Sequence, residues 1–278
     1  MIVGLRNLFS PGPAPFADPQ APIPLGQVLA RDWFELWYQP KIELKTLHMI
    51  GVEGRVCARH PQRGAVPAEL FLPGASEADL LALAERAILT ALHDWELFAA
   101  YGVAMKFAVG IPACALRRLP IAKILRKSRP RAANWPGMIL EVSEQETVDD
   151  LALATDAAAA LRELKCTLAL AKVGADIDAL AQLPQLPYGE IKIQRDYVAG
   201  CDVNASNRRR CESIVEFARR CGVATVADGI ESARESHRLQ AIGCRAGQGE
   251  LFGNPMPKGR LIGLMRSRMV GNLAAGRA

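Results

Sequence analysis

Residues 137–173, GMILEVSEQETVDDLALATDAAAALRELKCTLALAKV, decide the fold. The apolar runs at 137–144 and 167–173 are strand-length, and between them 148–164 repeats apolar residues at helical spacing. Strand, helix and strand in that order make a parallel pair joined by a right-handed crossover. Runs of the same kind recur at FELWYQ (34–39), MIGVEGRVCA (49–58), MKFAVGI (105–111), EIKIQ (190–194), ATVADGI (224–230) and GQGELF (247–252). Helical periodicity returns at 76–99, 208–221 and 232–242, the first opened by a capping box, Ser76 with Asp79 three residues on. Eight strands with helices between most of them predict an α/β chain folded as a TIM-like (β/α)8 barrel. A doubly wound open sheet is the competing architecture, but no GxGxxG or P-loop follows any strand.

The length of 278 residues suits one such barrel. The expected organisation is a Pro-rich leader over 1–24, a barrel domain over 25–270 and a tail over 271–278. Half of the chain is hydrophobic and 23% is charged, enough to bury a core. A net charge of +5 is mildly basic, without the excess of a dedicated nucleic-acid binder. No apolar run approaches the ~18 residues of a membrane span, and the start of the chain does not read as a signal peptide. The seven cysteines include no CxxC pair, so disulfides and structural zinc are not expected. These features together predict a cytoplasmic protein.

Barrels carry their chemistry at the C-terminal ends of the strands. Here those ends present Glu53, Gly110, Glu141, Ala171 with Lys172, Lys192, Asp228 and Gln248. One polar strand end is ordinarily a solvated residue; a ring of them facing one rim points to a site. The segments Tyr38-Gln39-Pro40, Leu140-Glu141-Val142-Ser143-Glu144, Ile191-Lys192-Ile193, Ala227-Asp228-Gly229-Ile230-Glu231 and Gln248 to Gly253 follow in register. In this order and spacing the chain resembles the EAL domain, the family that hydrolyses the bacterial second messenger cyclic di-GMP.

The resemblance implies a two-metal phosphodiesterase site, with carboxylates converging on Mg²⁺ or Mn²⁺ and a lysine beside the attacking water. On this chain the matching positions are Glu53, Glu141, Lys192, Asp228, Glu231 and Gln248. The departures are equally specific. The signature tripeptide reads Glu53-Gly54-Arg55, the family's asparagine ligand falls on Gly110, and its paired aspartates fall on Ala171 and Lys172. Asp176 and Asp178 lie past the strand end and do not replace them. An ammonium in place of a carboxylate would oppose a divalent ion by ~8 kcal/mol at about 4 Å and an effective dielectric near 20, and half of that still costs about three decades of affinity. No metal and no cofactor are therefore expected. Lys172 is expected to stand in the vacated metal position as a counter-ion to Glu53, Glu141 and Asp228.

Nucleotide binding without hydrolysis is a separate question. Gln39, Glu53, Arg55 and Phe252 are the candidate contacts to cyclic di-GMP, with Phe252 available to stack on a guanine or else packed in the rim. Against binding, the arginine of the family's EALLR segment falls on Cys57, its KID aspartate on Gln194 and its QGY tyrosine on Glu250. The leading expectation is a catalytically inactive signalling protein that docks a protein partner. The alternatives are a metal-free cyclic di-GMP receptor and, behind it, an active phosphodiesterase. A homodimer is expected from the family alone. The basic run 117–131, RRLPIAKILRKSRPR, reads first as a solvated helix face, and otherwise as a dock for an acidic partner or nucleic acid.

Overall fold

The computed structural model describes residues 22–102, 104–147, 151–174 and 187–275. Its strands are β1 (Phe34–Glu43), β2 (Met49–His60), β3 (Gly64–Pro67), β4 (Lys106–Gly110), β5 (Met138–Ser143), β6 (Cys166–Val173), β7 (Glu190–Ile193), β8 (Ala224–Ala227), β9 (Ala246–Gly247) and β10 (Met256–Pro257). The order β1-β9-β8-β7-β6-β5-β4-β2 returns to β1 through the β1–β2 pairing, closing an eight-stave TIM-like barrel. β3 extends β2, and β10 pairs with the outer half of β1.

The helices are α1 (Leu25–Ala30), α2 (Glu77–Ala100), α3 (Ala113–Arg118), α4 (Ile121–Ser128), α5 (Glu144–Thr147), α6 (Leu151–Arg162), α7 (Arg195–Val198), α8 (Ala205–Arg220), α9 (Ala233–Ala241) and α10 (Lys258–Ala275). The Ser76 hydroxyl caps α2 by accepting from the Asp79 amide, and it donates to the Asp79 carboxylate at 2.7 Å. That carboxylate thus bonds the hydroxyl, in a different pairing from the reciprocal backbone bond of a capping box. The reciprocal form occurs at α9, between Ser232 and Glu235.

Two expectations need correction. β1 runs antiparallel to both neighbours, because a short loop, with no helix, connects it to β2. The run 247–252 is mostly turn: β9 contributes two residues before the chain folds back through a Gly249–Gly253 bridge. The expected tail starts inside α10, whose backbone stays helical through Ala275. Most of the expected leader, 1–21, lies outside the described residues, as do Asp176 and Asp178.

Period-two alternation sorts the strand residues between two cores. Val109, Leu140, Leu168, Leu170, Ile191 and Ile193 face outward into the large apolar layer under the helices. Ala108, Ile139 and Ala169 form a separate small cluster within the barrel. The two alanines there leave room for charged side chains. Pro40 sits mid-strand in β1, between the β10 pairing at Trp37–Tyr38 and the β9 pairing at Ile42–Glu43. A proline without an N–H is tolerated in that gap.

Candidate functional site

The inward residues of the staves meet at the strand ends. Lys192, on β7, donates to Glu53 of β2 through a very short contact and to Glu141 of β5 at 3.2 Å; its nitrogen is 3.9 Å from Asp228. Arg55 grips both oxygens of Asp228 at 3.0 and 3.1 Å and lies 3.4 Å from Glu53. Deeper in the barrel, Lys41 of β1 pairs closely with Glu190 of β7 and lies 4.0 Å from Glu141. Glu53, Glu141 and Lys192 are all buried. Burial pushes the Glu53 carboxyl up, but Arg55 and Lys192 outweigh that and hold it at about 2. At Glu141 burial prevails, reinforced by the charge of Glu53, and the carboxyl is raised. Burial alone would lower Lys192; Asp228, Glu141 and Glu53 raise it.

The expected site therefore assembles in part. Glu53, Glu141, Lys192 and Asp228 come together, and Arg55 joins them as a partner of the acids. Gln39 is buried beside them, donating from its amide to the Gly253 carbonyl at 3.1 Å. Gln248 is fully buried, and neither polar atom of its side chain has a partner among the described residues. Glu231 does not join: it is exposed and pairs with Arg195. Phe252 is 1% exposed, folded under by the Gly249–Gly253 turn, so it is a core residue with no face free for a guanine. Cys57 is also buried, which pushes its thiol up to about 12.

Lys172 is not the counter-ion. It is exposed, makes none of the ion pairs found among the described residues, and has a φ of +57°. The reason is a bulge: β6 advances three residues from Leu170 to Val173 while β7 advances two, from Ile191 to Ile193. The extra residue restores Val173 to the outer core and leaves Lys172 facing solvent. Lys192 and Arg55 neutralise the acids instead. Lys41 and Glu190 were not singled out from the sequence, although alternation puts them on the same faces as Gln39 and Lys192.

The described donors do not fit a two-metal centre. Glu53, Glu141, Glu190 and Asp228 are each already bonded to a lysine or an arginine, Glu144 accepts from the Gly174 amide at 3.2 Å, and Gly110 and Ala171 offer no side-chain oxygen. Four carboxylates (Glu53, Glu141, Glu190, Asp228) face three cations (Lys41, Arg55, Lys192), leaving one negative charge in excess. Two divalent ions would bring four positive charges. Among the described residues no group of three or more His, Cys, Asp or Glu is arranged to hold a metal.

A closed barrel with a polar cluster at the strand ends places the chain in the TIM-like class. A family model, the EAL domain, matches residues 25–255, and the chain belongs to that family. It is 28% identical over 241 residues to the bifunctional diguanylate cyclase/cyclic di-GMP phosphodiesterase MucR of Pseudomonas aeruginosa, covering 86% of this chain and 35% of MucR. It is 27% identical over 227 residues to the cyclic di-GMP phosphodiesterase RocR of the same organism, covering 81% of this chain and 58% of RocR. A solved structure of the PaMucR phosphodiesterase in complex with c-di-GMP superposes with a TM-score of 0.76 at 28% identity, covering 85% of this chain and 97% of that one. The chain spans about a third of the length of the first curated relatives it matches. No helix among the described residues is long and apolar enough to cross a membrane.

Proposed function

We propose that this chain is a catalytically inactive EAL-domain protein that works by docking a protein partner in cyclic di-GMP-related bacterial regulation. One observation carries the reading: Lys192 and Arg55 occupy the acids that a divalent ion would need. A phosphodiester would meet no Lewis acid there, and Lys192, bonded to two carboxylates, is not free to orient a water. The functional unit on this reading is the barrel over 25–270, acting in the cytoplasm, alone or as a homodimer. Incubation with cyclic di-GMP and Mg²⁺ or Mn²⁺, followed by chromatography, tests it. The expected result is intact nucleotide; a linear dinucleotide product lost in Glu53→Gln would overturn the reading.

A metal-free cyclic di-GMP receptor remains the second reading, favoured by the orphaned polar atoms of Gln39, Gln248 and Glu141 at the rim. Buried polar groups without partners call for water or a ligand. Engagement of Arg55 by Asp228 and burial of Phe252 count against it. Calorimetric titration with cyclic di-GMP in EDTA separates the two: saturable heat supports the receptor, and none supports the adapter.

A further inference from the structure

We propose that the barrel wall formed by α3 and α4 is the docking surface for an acidic protein segment. The proposal deepens the adapter reading and rests on it. From Ala113 to Leu140 the chain contains no Asp or Glu, while Arg117, Arg118, Lys123, Arg126, Lys127, Arg129 and Arg131 are all exposed. Arg118 pairs with Glu77 of α2 at 3.0 Å. Lys123, Arg126, Lys127, Arg129 and Arg131 make none of the ion pairs found among the described residues, so five cations lie within nine residues without a carboxylate partner. A run of like charge held on a rigid wall stores a field that an opposite charge relieves.

The fold decides which opposite charge. α4 turns Ile121, Ile124 and Leu125 into the core, each less than a tenth exposed, and sends Lys123, Arg126 and Lys127 outward at helical spacing. With its apolar side chains spent on packing, the wall has nothing to insert into a lipid surface. Trp135 is the one aromatic residue between Ala113 and Leu140, and it is 3% exposed, so no ring is offered to a nucleic-acid base. α4 has eight residues and packs against α2, too short and too flush to enter a major groove. Five of the seven cations are arginines, whose planar forks match carboxylates in pairs. An acidic peptide strand lying along the wall meets all of these conditions.

A fluorescein-labelled dodecaglutamate peptide tests the surface by anisotropy on the full chain. Binding is expected, weakening at least tenfold between about 50 and 300 mM salt as screening tightens. The triple reversal Arg126→Glu, Lys127→Glu, Arg129→Glu should abolish it. Since all three side chains are exposed, the variant should keep the wild-type melting temperature. The reversal Arg208→Glu, Arg209→Glu, Arg210→Glu on α8 should leave binding within twofold. Absence of peptide binding, or equal loss in both variants, overturns the proposal. So does tighter binding of a DNA duplex or of phosphatidylglycerol vesicles, which would reassign the wall. Hydrolysis of cyclic di-GMP in the separate assay would overturn the adapter reading and leave the peptide result standing.

Discussion

Lys192 is buried against Glu53 and Glu141 and lies 3.9 Å from Asp228, and its removal leaves Glu53 only Arg55 at 3.4 Å and Glu141 only Lys41 at 4.0 Å. Lys192→Ala should cost about 3–5 kcal/mol, the range for breaking a buried ion pair by deleting one member. Urea denaturation measures it; a loss below about 1 kcal/mol would contradict the arrangement, because a surface substitution stays within about 0.5 kcal/mol. Lys172→Ala, on the exposed bulge, should fall in that smaller class. The pH response follows from Glu53. Its carboxyl sits at about 2 in the folded chain against an ordinary 4.5, so the folded state binds the proton later than the unfolded chain does. Its contribution to stability is complete above pH 4.5 and fades as the pH falls toward 2. Glu141 is raised and works in the opposite sense, helping most in acid and less as the pH rises through its folded value. The stability gap between wild type and Glu53→Gln should therefore narrow as the pH drops below 4.5, and a gap that widens would contradict the sign. At this scale the meeting of Glu53, Glu141, Asp228 and Lys192 was legible from strand-end positions. The orientation of Lys172 was not, because one extra residue in β6 reverses every side chain after it.

Turns and caps determine how the elements deliver those residues. Gly249 has a φ of +147°, and a Cβ there would lie 2.2 Å from the Ile230 carbonyl oxygen and 2.3 Å from its nitrogen. Both atoms are backbone and cannot retreat, so Gly249→Ala should disrupt the turn that buries Phe252 and carries the Gly253 carbonyl to Gln39. A soluble variant with unchanged melting temperature would contradict this. Ser232→Ala should cost about 1 kcal/mol through the lost cap of α9, read in the same urea assay. The strands and long helices were readable from periodicity. The direction of β1 does not follow from alternation, which is the same for a strand run either way; its signal is the helix-free link 44–48 to β2. Lys41 and Glu190 were readable in principle: both share a face with residues already chosen, and only their distance from the rim hid them.

Viewed as a whole, the barrel is filled by charge as much as by carbon. Ile139 is the one sizeable apolar side chain of the inner cluster with Ala108 and Ala169, and the Lys41–Glu190 pair, Glu141, Lys192, Glu53 and Arg55 continue from it to the rim. Burying so many ions is tolerable because each is paired. Pattern alone identified the barrel, but an ionic interior depends on which residues alternation stacks across eight staves, and that needs the closed geometry. On the proposed reading, this ionic filling leaves no place for divalent metal. Paramagnetic resonance of free Mn²⁺ during titration of the full chain tests it most directly. The prediction is a free-ion signal that rises in step with added Mn²⁺. A stoichiometric loss of signal, restored by Glu53→Gln, would contradict it.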